Sequence, residues 1–125
     1  MIQFHIFILY IGYDEKTDVK SIALKMATDV PMATEGRKRT VIITQGSDPV
    51  VVVDGNGDVK EYPVEKLAAD QIVDTNGAGD AFVGGFMAQL AMGKDMETCV
   101  RCGIWAATLI IQRSGCTVPD TMDFK

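Results

Sequence analysis

The stretch Asp74-Thr75-Asn76-Gly77-Ala78-Gly79-Asp80-Ala81-Phe82-Val83-Gly84-Gly85 (residues 74–85, DTNGAGDAFVGG) decides how the chain is read. Gly77 and Gly79 satisfy G-x-G, but Phe82 stands where a dinucleotide-binding fingerprint needs its third glycine. No Gly-Lys-Ser/Thr follows, so it is not a Walker A loop either. A helix-compatible run to Met92 comes next, which places Gly-Ala-Gly at a helix N-terminus. Small residues there let a ligand approach the backbone, and the first-turn N–H groups have no intrahelical partner. Those donors and the helix dipole suit an anionic oxygen, above all a phosphoryl group in transfer. Asp80 then has two readings that the residues alone leave open. It is a base that accepts the proton of an attacking hydroxyl, or it is a first-turn acid that stabilises the dipole.

Outward from this segment the chain reads as α/β. Ile2 to Tyr13 is an apolar run rich in Ile, Phe and Tyr that ends near Gly12 and suits a buried strand. It is shorter than the ~20 residues of a membrane span, and it lacks the basic start and small-residue cleavage site of a signal peptide. Asp18 predicts an N-cap for a helix over 19–28, stopped by Pro31. Thr40 to Thr44 (TVIIT) predicts a strand covered on both faces, after which the chain breaks at Gly46 to Pro49. Val50–Val53 and Val59–Pro63 flank Asp54 to Asp58 (DGNGD) and predict a β-hairpin. After Gly93, Asp95 predicts the cap of a last helix over roughly 96–112. Both late helices are apolar nearly all round, as in elements enclosed by a larger structure.

Composition narrows the classes. The chain has 125 residues, one domain's worth, of which 47% are hydrophobic and 23% charged, which argues against disorder. Three cysteines are too few for a disulfide scaffold and favour a reducing compartment. Seventeen acids against 12 bases give a net charge of −5, which argues against nucleic acid as partner. The expected compartment is cytoplasmic, with the nucleus second, because the basic run in Gly36–Arg39 (GRKR) is too short to read as more than an exposed loop. One tension stands: a mean hydropathy of +0.13 and seven methionines are rather apolar for a small self-sufficient domain.

Asp74 to Phe82 resembles the C-terminal signature of the ribokinase-like (carbohydrate/purine kinase) family. Thr44-Gln45-Gly46, Asn76, Phe82–Phe86 (FVGGF), Arg113–Thr117 (RSGCT) and Pro119–Phe124 narrow the resemblance to its adenosine-phosphorylating branch, over roughly Lys16 to the last residue. The implied fold is the C-terminal portion of a three-layer α/β/α domain, residues 16–125, without the lid domain and preceded by a divergent apolar segment at 1–15. The implied reaction transfers phosphate from ATP to adenosine, giving AMP and ADP in purine salvage. In it Asp80 matches the catalytic base, and the amides of Gly77, Ala78 and Gly79 match the anion hole. Thr44, Gly46 and Asn76 match positions lining the ATP phosphates. Asp74 and Gly115 lie where relatives hold a monovalent cation, K+. The resemblance implies Mg2+ accompanying ATP, adenine nucleotide and nucleoside as ligands, no nucleic acid or membrane partner, and association with the N-terminal half of the fold.

The sequence departs from the family in instructive places. No Asn-x-x-Glu spacing, which relatives use toward magnesium and phosphate, occurs in it, so no magnesium ligand of its own is identified. Ala69 replaces a nucleotide-contacting Gln, and Ile104 stands where a His is common. The alternative reading is therefore a catalytically inactive fragment or isoform that binds adenine nucleotide weakly or serves as an interaction module. Other patterns are read as structural. Asp54-x-Asn56-x-Asp58 with Glu65 imitates a calcium loop but lacks its turn glycine at Val59. Cys99-x-x-Cys102 falls mid-helix with no second ligand pair. His5, the sole histidine, sits in an apolar run. Trp105 reads as core, and Gly84-Gly85 inside a helix, at about 1 kcal/mol each relative to Ala, implies close packing or ligand approach.

Overall fold

A computed structural model describes residues 18–29, 36, 38–115, 117, 119–121 and 123–125, together with the backbone of 5–10. The stops read at Gly12 and Pro31, Cys116, and the His5 side chain lie outside what it describes. The chain divides into two compact units, Met1–Val64 and Glu65–Lys125.

The first unit is a mixed sheet in the order β1-β2-β3-β4, with β1 at His5–Tyr10, α1 at Val19–Thr28, β2 at Arg39–Gln45, β3 at Asp48–Val53 and β4 at Val59–Tyr62. β1 runs parallel to β2, as a crossover through α1 permits, and the remaining pairs are antiparallel. α1 lays Ala23 and Ala27 on Val41, Ile43, Val51 and Val53, the core of this unit. Ile42, Val50 and Val52, pointing to the other face, are buried as well. That double burial is why β2 and β3 are continuous runs of β-branched residues instead of alternating ones. Each such side chain, fully buried, contributes about 1.5–3 kcal/mol. Arg39 joins helix to sheet by donating to the Met26 carbonyl at 2.8 Å.

The break expected over Gly46–Pro49 is tighter than it reads. Gly46 turns with φ +62°, β3 begins at Asp48, and the register shifts between Ile43 and Gln45. Pro49 occupies this irregularity, ahead of the β4 pairing that starts at Val50, where its missing N–H costs no ladder bond. The second hairpin forms as read. Asp54 Oδ1 accepts from the backbone N–H of Asn56 and Asp58 at 2.9 and 3.1 Å. The carboxylate that imitated a calcium ligand is a turn-former.

The second unit holds a short 3₁₀ turn at Ala69–Gln71, α2 at Ala78–Ala91 and α3 at Met96–Ile111. Between the helices Lys94 N–H donates to Gln89 O and Gly93 N–H to Leu90 O, with Gly93 at φ +74°. This Schellman turn stops α2 and folds α3 back on it. Gly85 and Gly103 set the distance between the two helices. A Cβ on Gly85 would lie 2.7 Å from Cys102 O, and one on Gly103 would lie 2.8 Å from the Phe82 ring. Phe82 and Phe86 are buried, whereas Val83 and Met87 are exposed. Apolarity all round α2 thus exceeds what this unit covers.

Asp18 and Asp95 cap their helices as expected. Asp18 accepts from Ser21 N–H and, at 2.7 Å, from its hydroxyl; Asp95 accepts from Thr98 N–H at 2.8 Å. These hydrogen bonds hold both carboxyls below the ordinary value of 3.8. A group whose pKa is lowered on folding stabilises above its unfolded value and loses that contribution as pH falls through the folded one. The thermal midpoint is therefore expected to drop as the pH is lowered past 3.8. Asp18→Asn with Asp95→Asn, which keep a capping oxygen without a titrating proton, should flatten that decline in a pH series of melting curves.

Candidate functional site

The signature begins on a tether. Val73 N–H and Asp74 N–H both donate to Ile111 O, at 2.9 and 3.1 Å, so the loop before α2 is fixed to the C-terminal end of α3. Asp74 Oδ1 then accepts from Asn76 N–H at 2.9 Å, an Asx turn that reverses the chain into Gly77. Gly77 takes φ +79° and ψ 0°, the left-handed region. Ala78 N–H donates back to Thr75 O at 3.3 Å, and Ala81 N–H makes the first helical bond to Gly77 O at 2.9 Å.

No side chain caps α2, unlike α1 and α3. A carboxylate at position 77 would satisfy the first-turn donors internally, and glycine leaves them to whatever approaches. Gly79 is exposed, and a Cβ built on it meets nothing within 4 Å, so the approach is open. Asp80 stands exposed on the same first turn. Of the three amides expected at the anion hole, that of Ala78 donates to Thr75 O at 3.3 Å.

Replacing Gly77 by Ala forces a Cβ into the left-handed region, at about 1–2 kcal/mol. Urea denaturation should read that loss, with Gly77→Asn closer to wild type because Asn tolerates the conformation.

The other candidates divide between the two units. Thr44 is half-buried at the C-terminal end of the parallel β1–β2 pair, opposite Tyr10, and Gly46 forms the exposed turn that follows. Ligands of open α/β sheets bind beyond the carboxyl ends of parallel strands. Asp74, Asn76 to Asp80 and Gly115 belong to the second unit. Gly115, at φ +66°, lies in the loop leaving α3, where Thr117 N–H donates to Gly115 O at 2.7 Å. The Ile111 tether thus ties the Asp74 backbone to the helix end from which this loop departs. Nothing in the spacing pointed to that bond, which joins residues far apart in sequence through a carbonyl.

The structural readings fare unevenly. Cys99 and Cys102 are buried and free, and burial above all pushes both thiols up, the setting of inert packing residues. Among the described residues no group of three or more His, Cys, Asp or Glu side chains could hold a metal ion. Gly85 is closely packed, but Gly84 faces open space. Trp105 is only half-buried; it lines an apolar groove of about 360 Å³ between α2 and α3 instead of filling the core.

Comparison with known proteins finds similar sequences and similar folds. The pfkB family carbohydrate kinase profile matches residues 15–122. Adenosine kinase 1 of Arabidopsis thaliana is 56% identical over 111 residues, covering 89% of this chain and 32% of its own length. The chain thus spans about a third of the curated relatives it matches. Anopheles gambiae adenosine kinase, solved with P1,P4-di(adenosine-5) tetraphosphate, superposes with a TM-score of 0.75 at 49% identity, over 87% of this chain and 35% of that one. Schistosoma mansoni adenosine kinase with 2-fluoroadenosine gives 0.77 at 36% identity, over 90% and 36%.

Proposed function

Because the chain belongs to the pfkB carbohydrate kinase family, we propose that it carries the phosphate-handling part of an adenosine kinase, transferring the γ-phosphoryl group of ATP to adenosine. The observation that carries the reading is the uncapped N-terminus of α2 with Asp80 exposed on its first turn. Asp80 accepts the proton of the nucleoside 5′-hydroxyl as its oxygen bonds to phosphorus. The bond from phosphorus to the bridging oxygen breaks, and ADP leaves. The backbone at Gly77 to Gly79 faces the charge on the transferring group, and fixed donors aimed at developing charge supply much of such catalysis. Asn76, Thr44 and Gly46 line the nucleotide phosphates in this reading. Mg2+ bound together with ATP would offset the charge on the phosphates, and no side chain of this chain is assigned to hold it. Asp74 and Gly115 would hold a monovalent cation, K+, whose charge would help shape the anion-binding backbone. The identities with adenosine kinases support adenosine over a sugar as acceptor.

The test is ATP-dependent formation of AMP from adenosine by the purified chain, wild type against Asp80→Asn. Turnover abolished by the substitution supports the proposal. Stabilisation by adenine nucleotide in a thermal shift assay without any turnover would replace it with the binding-only reading.

A further inference from the structure

The residue chain beyond α3 returns to it. Phe124 packs on Trp105 with ring centroids 5.7 Å apart and planes tilted by 54°, a favourable aromatic geometry. Both rings line the groove whose other wall is Ala81, Gly84 and Ala88 of α2, and Ala81 directly follows Asp80. At its opposite end the same segment leaves Ile111, whose carbonyl holds Val73 and Asp74. Among the described residues between these anchors, local bonds shape the chain. Arg113 N–H donates to Ile110 O at 3.0 Å, Arg113 Nε to Thr117 Oγ1 at 3.3 Å, and Thr117 Oγ1 to Ser114 O at 3.3 Å. Exposed bonds of this kind shape a loop but do little to hold it. A segment held at one end frays, whereas one held at both loses most of that freedom.

We propose that Phe124 is a positioning residue: clasped on Trp105, it anchors the chain a second time after the Ile111 tether and thereby orders Arg113, Ser114, Gly115 and Thr117. Its consequence for phosphoryl transfer rests on the function proposed above; the clasp itself does not.

Trp105 is the sole tryptophan of the chain, so its fluorescence reports the contact directly. The experiment compares full-length wild type, Phe124→Ala and Phe124→Tyr by tryptophan emission and amide hydrogen exchange. Phe124→Ala should red-shift the emission and speed exchange of the Arg113 and Thr117 amides by about tenfold, the scale of one aromatic pair. The Val100 amide, in the buried part of α3, should stay as in wild type, and Phe124→Tyr should restore both readouts. An emission shift with unchanged loop exchange would overturn the positioning role. Unchanged emission would overturn the clasp, and faster exchange at Val100 would make Phe124 a general packing residue. None of these readouts depends on ATP turnover. A clasp without turnover therefore counts against the proposed function alone, and turnover without a clasp against this inference alone.

Discussion

Asp80→Asn is expected to lower ATP-dependent AMP formation by about 10²–10⁴-fold, the usual worth of a positioned general base. The substitution keeps the shape of the side chain and its place on the first turn of α2, and it removes only the capacity to take a proton. The loss should therefore fall on kcat, with KM for ATP little changed, because the backbone at Gly77 to Gly79 is untouched. Circular dichroism should show the same helix content, since Asp80 is exposed and does not cap α2. A drop in kcat and a rise in KM together would mean that Asp80 positions nucleotide instead of accepting the proton. Unaltered turnover would return Asp80 to the role of a first-turn acid.

Gly84 and Gly85 are expected to respond to the same substitution with opposite signs. A Cβ on Gly85 lies 2.7 Å from Cys102 O and 3.0 Å from Ala106 Cβ, so Gly85→Ala must push α3 away. Overpacking of that kind costs about 1–3 kcal/mol, against which the better helix propensity of Ala returns about 1 kcal/mol. Gly85→Val adds bulk and loses most of that propensity gain, so it should be the more damaging variant. On Gly84 the Cβ meets nothing within 4 Å, and only the propensity gain remains. Gly84→Ala should therefore raise stability by about 0.5–1 kcal/mol. Guanidinium unfolding of the three variants reads both signs in one series, and equal behaviour of Gly84→Ala and Gly85→Ala would refute the packing account.

That pair marks the boundary of what was legible in the sequence. Two adjacent glycines look alike, and α2 is apolar on every side, so no periodicity says which of them faces α3. Caps were readable because Asp18 and Asp95 act on N–H groups three residues away, within one turn of chain. The hairpin at Asp54–Asp58 was readable for the same reason. The signature announced an open helix N-terminus because Gly77, Ala78 and Gly79 offer no side chain to cap it. What escaped were contacts between distant residues: the Ile111 carbonyl that holds Val73 and Asp74, and the return of Phe124 to Trp105. Trp105 itself was misplaced as core because a tryptophan in an apolar helix reads as buried whether or not a neighbour covers it.

The mixed sheet carries a consequence for the order in which the molecule assembles. β2, β3 and β4 pair through tight reversals, and α2 and α3 through a single turn, so both arrays consist of contacts between chain neighbours and close cheaply. β1 and β2 pair across the interval that holds α1, a contact of higher order whose loop entropy is lost before any bond is gained. The parallel edge is thus expected to be the last part of the first unit to form and the first to open in native-state exchange. Thr44, on β2 opposite Tyr10, is expected to gain its β1 partner last.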